Sequence, residues 1–238
     1  MHMHAVETTW AGCRLWRFDL DQPLSDEWLA ALSQEEQARA QRFRFAHDRR
    51  RYLAAHAAVR QLLSRATGLA APALRFSAGM HGKPTLDQAP GLHFNLSHSH
   101  GIGALAIGQH AEVGVDVEVL RPVRDALAMA DAQFGAHECR ALRALPEGAA
   151  RDHAFLQCWT RKEACVKAAG VGLSVDTRRF EAGVGAQPRD VTLQAGAQQH
   201  RLQVVSLAQD DGVLLALARH TAAAPRVSPE ALCTELAA

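Results

Sequence analysis

The alternation of hydrophobic and polar positions changes period along the chain, and the changes mark its elements. In "CRLWRFDL", Leu15, Trp16 and Phe18 stand among polar residues, which predicts a strand near the start. Ser25 and Ser33 follow as N-cap candidates, because "SDEW" and "SQEE" put acids in a first helical turn, where the helix dipole favours them. The pattern predicts a helix from Gln34 to about Phe43 and a longer one across "HDRRRYLAAHAAVRQLLSRATG". Asp48 is the candidate cap of the longer helix, Leu53, Ala57, Leu62 and Leu63 supply its apolar positions, and Gly68 stops it.

The middle of the chain reads as strands. "LRFSAGMHGKPTL" pairs a short strand with a Gly/Pro loop, and "LHFNLSHSHGIGALAIG" predicts a hairpin turning near Ser99–Gly101. Next comes "EVGVDVEVL", in which Val113, Val115 and Val117 alternate with Gly114, Asp116 and Glu118. A period of two puts the valines on one face and both carboxylates on the other. Like charges side by side repel, and burial sharpens the repulsion, so solvent or a cation must compensate them. After "RPVRD" helical character runs to about Leu145, breaks at Pro146–Gly148 and resumes from Asp152 to Ala169. "VTLQ", "HRLQVVSL" and "GVLLALAR" then predict three strands, before an Ala/Pro-rich tail with a capped helix starting near Ser228.

This order predicts an α+β protein of two similar lobes, each a small antiparallel sheet packed on helices. The expected divisions are 1–118, with the carboxylate strand at the end of the first lobe, 119–225 for the second lobe and 226–238 for the tail. A site on that strand lies at the lobe boundary, where ligand clefts form.

"DHAFLQCWTRKEACVKAAGVGLS" carries the second set of chemical groups. Phe155, Cys158, Trp159, Cys165, Val166 and Ala169 share one helical face. Glu163 lies four residues after Trp159 and four before Lys167; spacing alone reads Glu163–Lys167 as a surface pair worth a few tenths of a kcal/mol. Lys162 points into the apolar stripe, where its ammonium either snorkels outward or sits at a ligand's edge. In "FNLSHSHG", Asn95, Ser97 and His98 enter a tight turn, whose groups either shape the turn or hold phosphate oxygens. His93, His98 and His100 match no zinc spacing.

Composition narrows the classes. The chain has 238 residues, 48% hydrophobic and 21% charged, with a formal net charge of +1, which suits a globular protein without bulk nucleic acid or a membrane surface as partner. Aromatics at 5% argue the same way against nucleic acid. No apolar run spans a bilayer and the start holds no signal-peptide core. The five scattered cysteines form no CxxC pair, as expected in a reducing cytoplasm.

In their order and spacing, "HGKP", "FNLSHS", "GVDVE" and "FLQCWTRKEACVKAAGVGL" resemble the motifs of the Sfp-type 4'-phosphopantetheinyl transferases: GKP, FN-x-SHS, G-x-D-x-E and W-x-x-KEA-x-x-K-x-x-G-x-GL. The resemblance runs from about Ser33 to Ser174. It implies lobes related by a pseudo-twofold, with coenzyme A and Mg²⁺ (Mn²⁺ as substitute) in the cleft between them. It implies transfer of 4'-phosphopantetheine from coenzyme A to a serine of an acyl- or peptidyl-carrier protein, with release of adenosine 3',5'-bisphosphate, by a cytoplasmic monomer. Motif by motif it assigns Asp116, Glu118 and Glu163 to the metal, and Lys167 and His98 to the diphosphate. Asn95 and Ser97 line the same pocket, and Lys83 with Pro84 forms the adenosine-phosphate loop. Arg39 and Arg51 grip the 3'-phosphate, a contact that suits the guanidinium fork. The expected catalytic groups are Glu163, as base directly or through a water, Lys167 and His98, with Glu118 competing as base through a metal-bound water. Two rivals stand beside this reading: a metal-dependent coenzyme A diphosphate hydrolase, and a non-catalytic relative that binds coenzyme A or a carrier.

Overall fold

The computed structural model describes residues 2–8, 10–172, 175–207 and 211–221. Two four-stranded antiparallel sheets organise it. The first contains β1 (Met3–Val6), β2 (Cys13–Asp19), β5 (Leu92–Ser99) and β6 (Ile102–Gln109) in the order β1-β2-β6-β5. The second contains β7 (Val113–Val119), β8 (Arg189–Ala195), β9 (Gln198–Leu207) and β10 (Val213–His220) in the order β7-β10-β9-β8. A small ribbon pairs β3 (Phe76–Ala78) with β4 (Pro84–Leu86). Helices α1 (Asp26–Ala30), α2 (Gln34–Ala40) and the long α3 (Ala46–Thr67) lie in the first half. Helices α4 (Ala126–Gln133), α5 (Ala136–Arg143) and the long α6 (Ala149–Ala169) lie in the second.

Side-chain alternation turns these elements into layers. Phe18, Phe94, Leu105 and Ile107 of the first sheet pack on Ala54, Ala58, Leu62 and Leu63 of α3. The opposite face, with Leu15, Ala104 and Ala106, meets Val113, Val115, Val117, Leu215 and Leu217 of the second sheet. Beyond that sheet, Leu202, Val204, Ala216 and Ala218 pack on Ala164, Cys165 and Ala168 of α6. The order is helix, sheet, sheet, helix, so each lobe repeats one plan, and each fully buried leucine or valine contributes about 1.5–3 kcal/mol. Both long helices stop on a left-handed glycine, Gly68 at φ 75° and Gly170 at φ 67°.

Several expected boundaries shift. The chain forms β1 at "MHAV", which has no apolar alternation of its own and is ordered by pairing with β2. Phe45, not Asp48, is the cap residue of α3; Asp48 lies in its first turn. The helical run after Arg124 divides at Phe134–Gly135, where Glu138 reaches back to accept the Gly135 N–H at 2.9 Å. The lobe boundary expected after residue 118 falls earlier, because β7 pairs with β10 and so belongs to the second sheet. The tail and its expected helix near Ser228 lie outside the described residues. Among the described residues no helix is long and apolar enough to cross a membrane.

Candidate active site

The face of β7 that carries Gly114, Asp116 and Glu118 looks onto α6. A Cβ at Gly114 would collide with the Ala164 carbonyl oxygen and the Ala168 amide nitrogen, so helix and strand backbones meet there and only glycine permits it. That contact sets Lys167 against Asp116: its Nζ donates to Asp116 Oδ1 at 2.6 Å and to Ser97 Oγ at 3.0 Å.

Strands β5 and β7 are edge strands of their sheets, and β5 supplies the remaining polar partners. Asn95 Oδ1 accepts the Val115 N–H at 2.8 Å, satisfying a donor on the edge of β7. Ser97 Oγ donates to Asp116 Oδ1 at 2.8 Å, and Ser99 Oγ donates to Glu118 Oε2 at 2.8 Å. Residues 95, 97 and 99 share a face because strand side chains alternate. Ser99 was missing from the expected site, yet the same alternation that selects Ser97 selects it.

The charges at this point do not balance. Burial pushes the Asp116 carboxyl up, opposed by the Lys167 charge and the hydrogen bonds from Lys167 and Ser97. Glu163 is also pushed up, by burial and by the Asp116 charge, with Lys167 opposing and Glu118 adding to the rise. Glu163 therefore feels both strand acids across the cleft. Among the described residues no three His, Cys, Asp or Glu side chains converge closely enough as they stand to enclose a metal ion. The donor set nevertheless fits a hard divalent cation: carboxylate oxygens, mutually repelling, with Lys167 as the ammonium hydrogen-bonded among them.

One cavity opens at this centre and a second lies across β5 from it. The first, of about 270 Å³, is lined by His81, Pro84, Asn95, Glu163, Lys167 and Gly170. The other, also about 270 Å³, lies between α3 and β5 and is lined by Asp48, Arg51, Tyr52, His56, His98 and His100. The structure thus separates His98 from Ser97 and Lys167, with which it was grouped: it is exposed on the opposite face of β5, with Arg51. Arg51 is held by Asp21, Nε to Oδ1 at 2.8 Å and Nη2 to Oδ2 at 2.7 Å. Arg39 is exposed, its guanidinium 5.7 Å from the Tyr52 ring centre. The Lys83 ammonium turns to Glu112 and the Val113 carbonyl. Lys162 neither snorkels nor reaches the cleft; it is buried in an ion pair with Glu138.

Two family models match this chain. Residues 21–110 match the model described as 4'-phosphopantetheinyl transferase, N-terminal, and residues 112–218 match that of the 4'-phosphopantetheinyl transferase superfamily. Their junction coincides with the start of β7, as the strand pairing does. The chain is 38% identical over 165 residues to the 4'-phosphopantetheinyl transferase HetI of Nostoc sp., covering 67% of this chain and 69% of that protein. It is 32% identical over 165 residues to the 4'-phosphopantetheinyl transferase Sfp of Bacillus subtilis, covering 68% and 72%. To the rat L-aminoadipate-semialdehyde dehydrogenase-phosphopantetheinyl transferase it is 28% identical over 196 residues, covering 76% and 62%.

Proposed function

The chain belongs to the 4'-phosphopantetheinyl transferase superfamily, and we propose that it transfers 4'-phosphopantetheine from coenzyme A to a serine of an acyl- or peptidyl-carrier protein. The observation that carries this reading is the Lys167–Asp116 pair on the strand that also bears Glu118, with Lys167 and Glu163 lining one cavity of about 270 Å³. Asp116, Glu118 and Glu163 would hold Mg²⁺, or Mn²⁺ in its place, and such a cation would draw negative charge from the diphosphate.

Each side chain then has a task. Lys167 presents an ammonium at the cleft and, with Ser97 and Asn95, positions diphosphate oxygens there. Arg51 and His98 line the second cavity, where the 3'-phosphate would be held, with Arg39 near its edge. The carrier serine oxygen attacks the phosphorus that bears the pantetheine arm. The bond from that phosphorus to the bridging oxygen breaks, and the electron pair leaves on adenosine 3',5'-bisphosphate. The serine proton goes to Glu163, directly or through a water, with Glu118 as the alternative acceptor. A carboxylate that holds a cation is a weak base, so the route through a water is the favoured one. Phosphoryl transfer of this kind depends mainly on positioning and charge stabilisation.

The test is direct. Incubated with coenzyme A and Mg²⁺, an apo-carrier should gain the mass of one phosphopantetheine. Free phosphopantetheine with no carrier gain would establish the hydrolase reading instead, and binding without either product would establish a non-catalytic relative. We propose a cytoplasmic monomer, and sedimentation at assay concentration checks the oligomeric state.

A further inference from the structure

Lys83, expected among the ligands of the adenosine phosphates, has its ammonium committed elsewhere. It donates to Glu112 Oε2 at 2.5 Å and to the Val113 carbonyl at 2.9 Å, and only 13% of its side chain is exposed. The other carboxylate oxygen, Glu112 Oε1, lies 3.0 Å from Nδ1 of His93 on β5. Glu112 stands in the turn that leads into β7, so this contact ties the loop before β4 to the start of the carboxylate strand.

The loop is pinned through its backbone as well. The Gly79 N–H donates to the Lys83 carbonyl at 2.8 Å, and the Gly82 N–H to the Gly79 carbonyl at 3.0 Å. Between them His81 holds a left-handed backbone at φ 59°, a conformation that a non-glycine residue keeps only when its surroundings enforce it. His81, Lys83 and Pro84 line the same cavity as Glu163 and Lys167, Lys83 with its ammonium bonded to Glu112 and the Val113 carbonyl.

We propose that Lys83 and Glu112 act as a positioning pair, which sets the His81–Pro84 rim of the cleft for coenzyme A, and that the Lys83 ammonium is not itself a phosphate ligand. The proposal rests on the transferase reading for the identity of the ligand. A phosphate competing for this ammonium would have to displace a carboxylate that accepts from two partners at once. Burial alone would raise the Glu112 carboxyl, but the His93 hydrogen bond and the charge and hydrogen bond of Lys83 outweigh it and hold it at about 2. Glu112 therefore stays ionised at any pH used for an assay.

The two roles predict opposite signs for Glu112→Ala. If Lys83 were a phosphate ligand, removing its competitor would leave coenzyme A affinity unchanged or tighter. As a positioning pair, Glu112→Ala should weaken coenzyme A binding about ten-fold, Lys83→Met should do the same, and the double variant should be no weaker than the worse single one. Lys83→Arg, which keeps a charge for Glu112, should recover most of the loss. Lys83→Met should also weaken binding of a coenzyme A lacking its 3'-phosphate by the same factor. Amide exchange gives a readout without ligand: in Glu112→Ala the Gly79 and Gly82 amides should exchange faster, while those of β10 keep their rates. Unchanged exchange at Gly79 and Gly82, or unimpaired coenzyme A binding by Glu112→Ala, overturns the pair. A wild-type protein that loads no carrier would sink the transferase reading and leave the exchange rates to judge the pair.

Discussion

Helix α6 carries two lysines five residues apart, Lys162 and Lys167, whose surroundings differ in kind. Lys162 is 1% exposed, and its Nζ donates to the Thr177 carbonyl at 2.7 Å, the Phe180 carbonyl at 2.5 Å and Glu138 Oε2 at 2.8 Å. Glu138 in turn accepts the amides of Gly135, Ala182 and Gly183. Charge balances there and the hydrogen-bonding capacity is filled. Lys167 stands among Asp116, Glu163 and Glu118, so that point carries more negative charge than positive whenever the acids are ionised. The first arrangement is complete without a ligand; the second leaves a charge that the proposed cation would balance. Local imbalance of this sort concentrates at functional sites.

The largest effect that would break this contrast is on the chemistry. Asp116→Asn or Glu163→Gln should lower carrier loading by roughly 10²–10³-fold, the scale of losing one preorganised electrostatic group in a site. Neither should lower the melting temperature, because burial disfavours the ionised form of each and the amide keeps a polar group of the same shape. Loading near the wild-type rate, measured by carrier mass in Mg²⁺, would show that these acids are not the site.

Lys162→Met sharpens the other side of the comparison. It leaves Glu138 charged and buried without its ammonium, a change that costs about 3–5 kcal/mol. Urea unfolding should show that loss, while the folded fraction loads carrier at nearly the wild-type rate. A large fall in turnover with stability intact would mean that Lys162 serves the cleft after all.

How far the sequence reaches is visible in these same residues. The lobes, the long helices and the acid strand follow from periodicity and stop signals, because those are local properties. The shared face of Asn95 and Ser97 follows from strand alternation, and Ser99 with it. Alternation also places His98 on the far face, and its grouping with Lys167 rests on the family resemblance alone. Spacing could not decide Lys162, since it gives the direction in which a side chain leaves the helix and not the carbonyls of 177 and 180 that meet it. Asp21 opposite Arg51 and Glu112 opposite Lys83 were illegible for the same reason: each partner comes from a distant turn. Gly114 carried a readable signal, a glycine on the acid face of a valine strand, whose meaning depends on where α6 lands.

A third pair, in the first lobe, lies between the two lysines in character. Arg51 has a partner in Asp21, but the pair is partly exposed, with side chains 30% and 39% accessible, and Arg51 faces a cavity. An exposed pair of this type is worth at most about 1 kcal/mol to stability, so little of the fold rests on Arg51 and its proposed role in binding can be tested in a folded variant. Arg51→Glu should weaken coenzyme A binding roughly ten-fold or more, the loss of one charge-assisted phosphate contact, and should discriminate little when the 3'-phosphate is absent. Equal losses for both ligands would remove Arg51 from the 3'-phosphate site.

The smallest expected effect tests the imbalance itself without any reaction. Asp116 and Glu163 both have carboxyls raised by folding, first by burial, so the folded state favours their protonated forms. Their contribution to stability is therefore fully present below the ordinary carboxyl range near pH 4 and is lost as pH rises through the raised values. A divalent cation held by these acids would offset that loss only where they are ionised. Mg²⁺ should accordingly raise the melting temperature by roughly 2–5 °C at pH 8 and by less at pH 5. In Asp116→Asn the pH 8 shift should shrink, whereas Lys162→Met, starting from a lower melting temperature, should keep it in full. A shift equal at both pH values, or unaltered in Asp116→Asn, would mean that magnesium acts elsewhere and that the cleft acids share no ion.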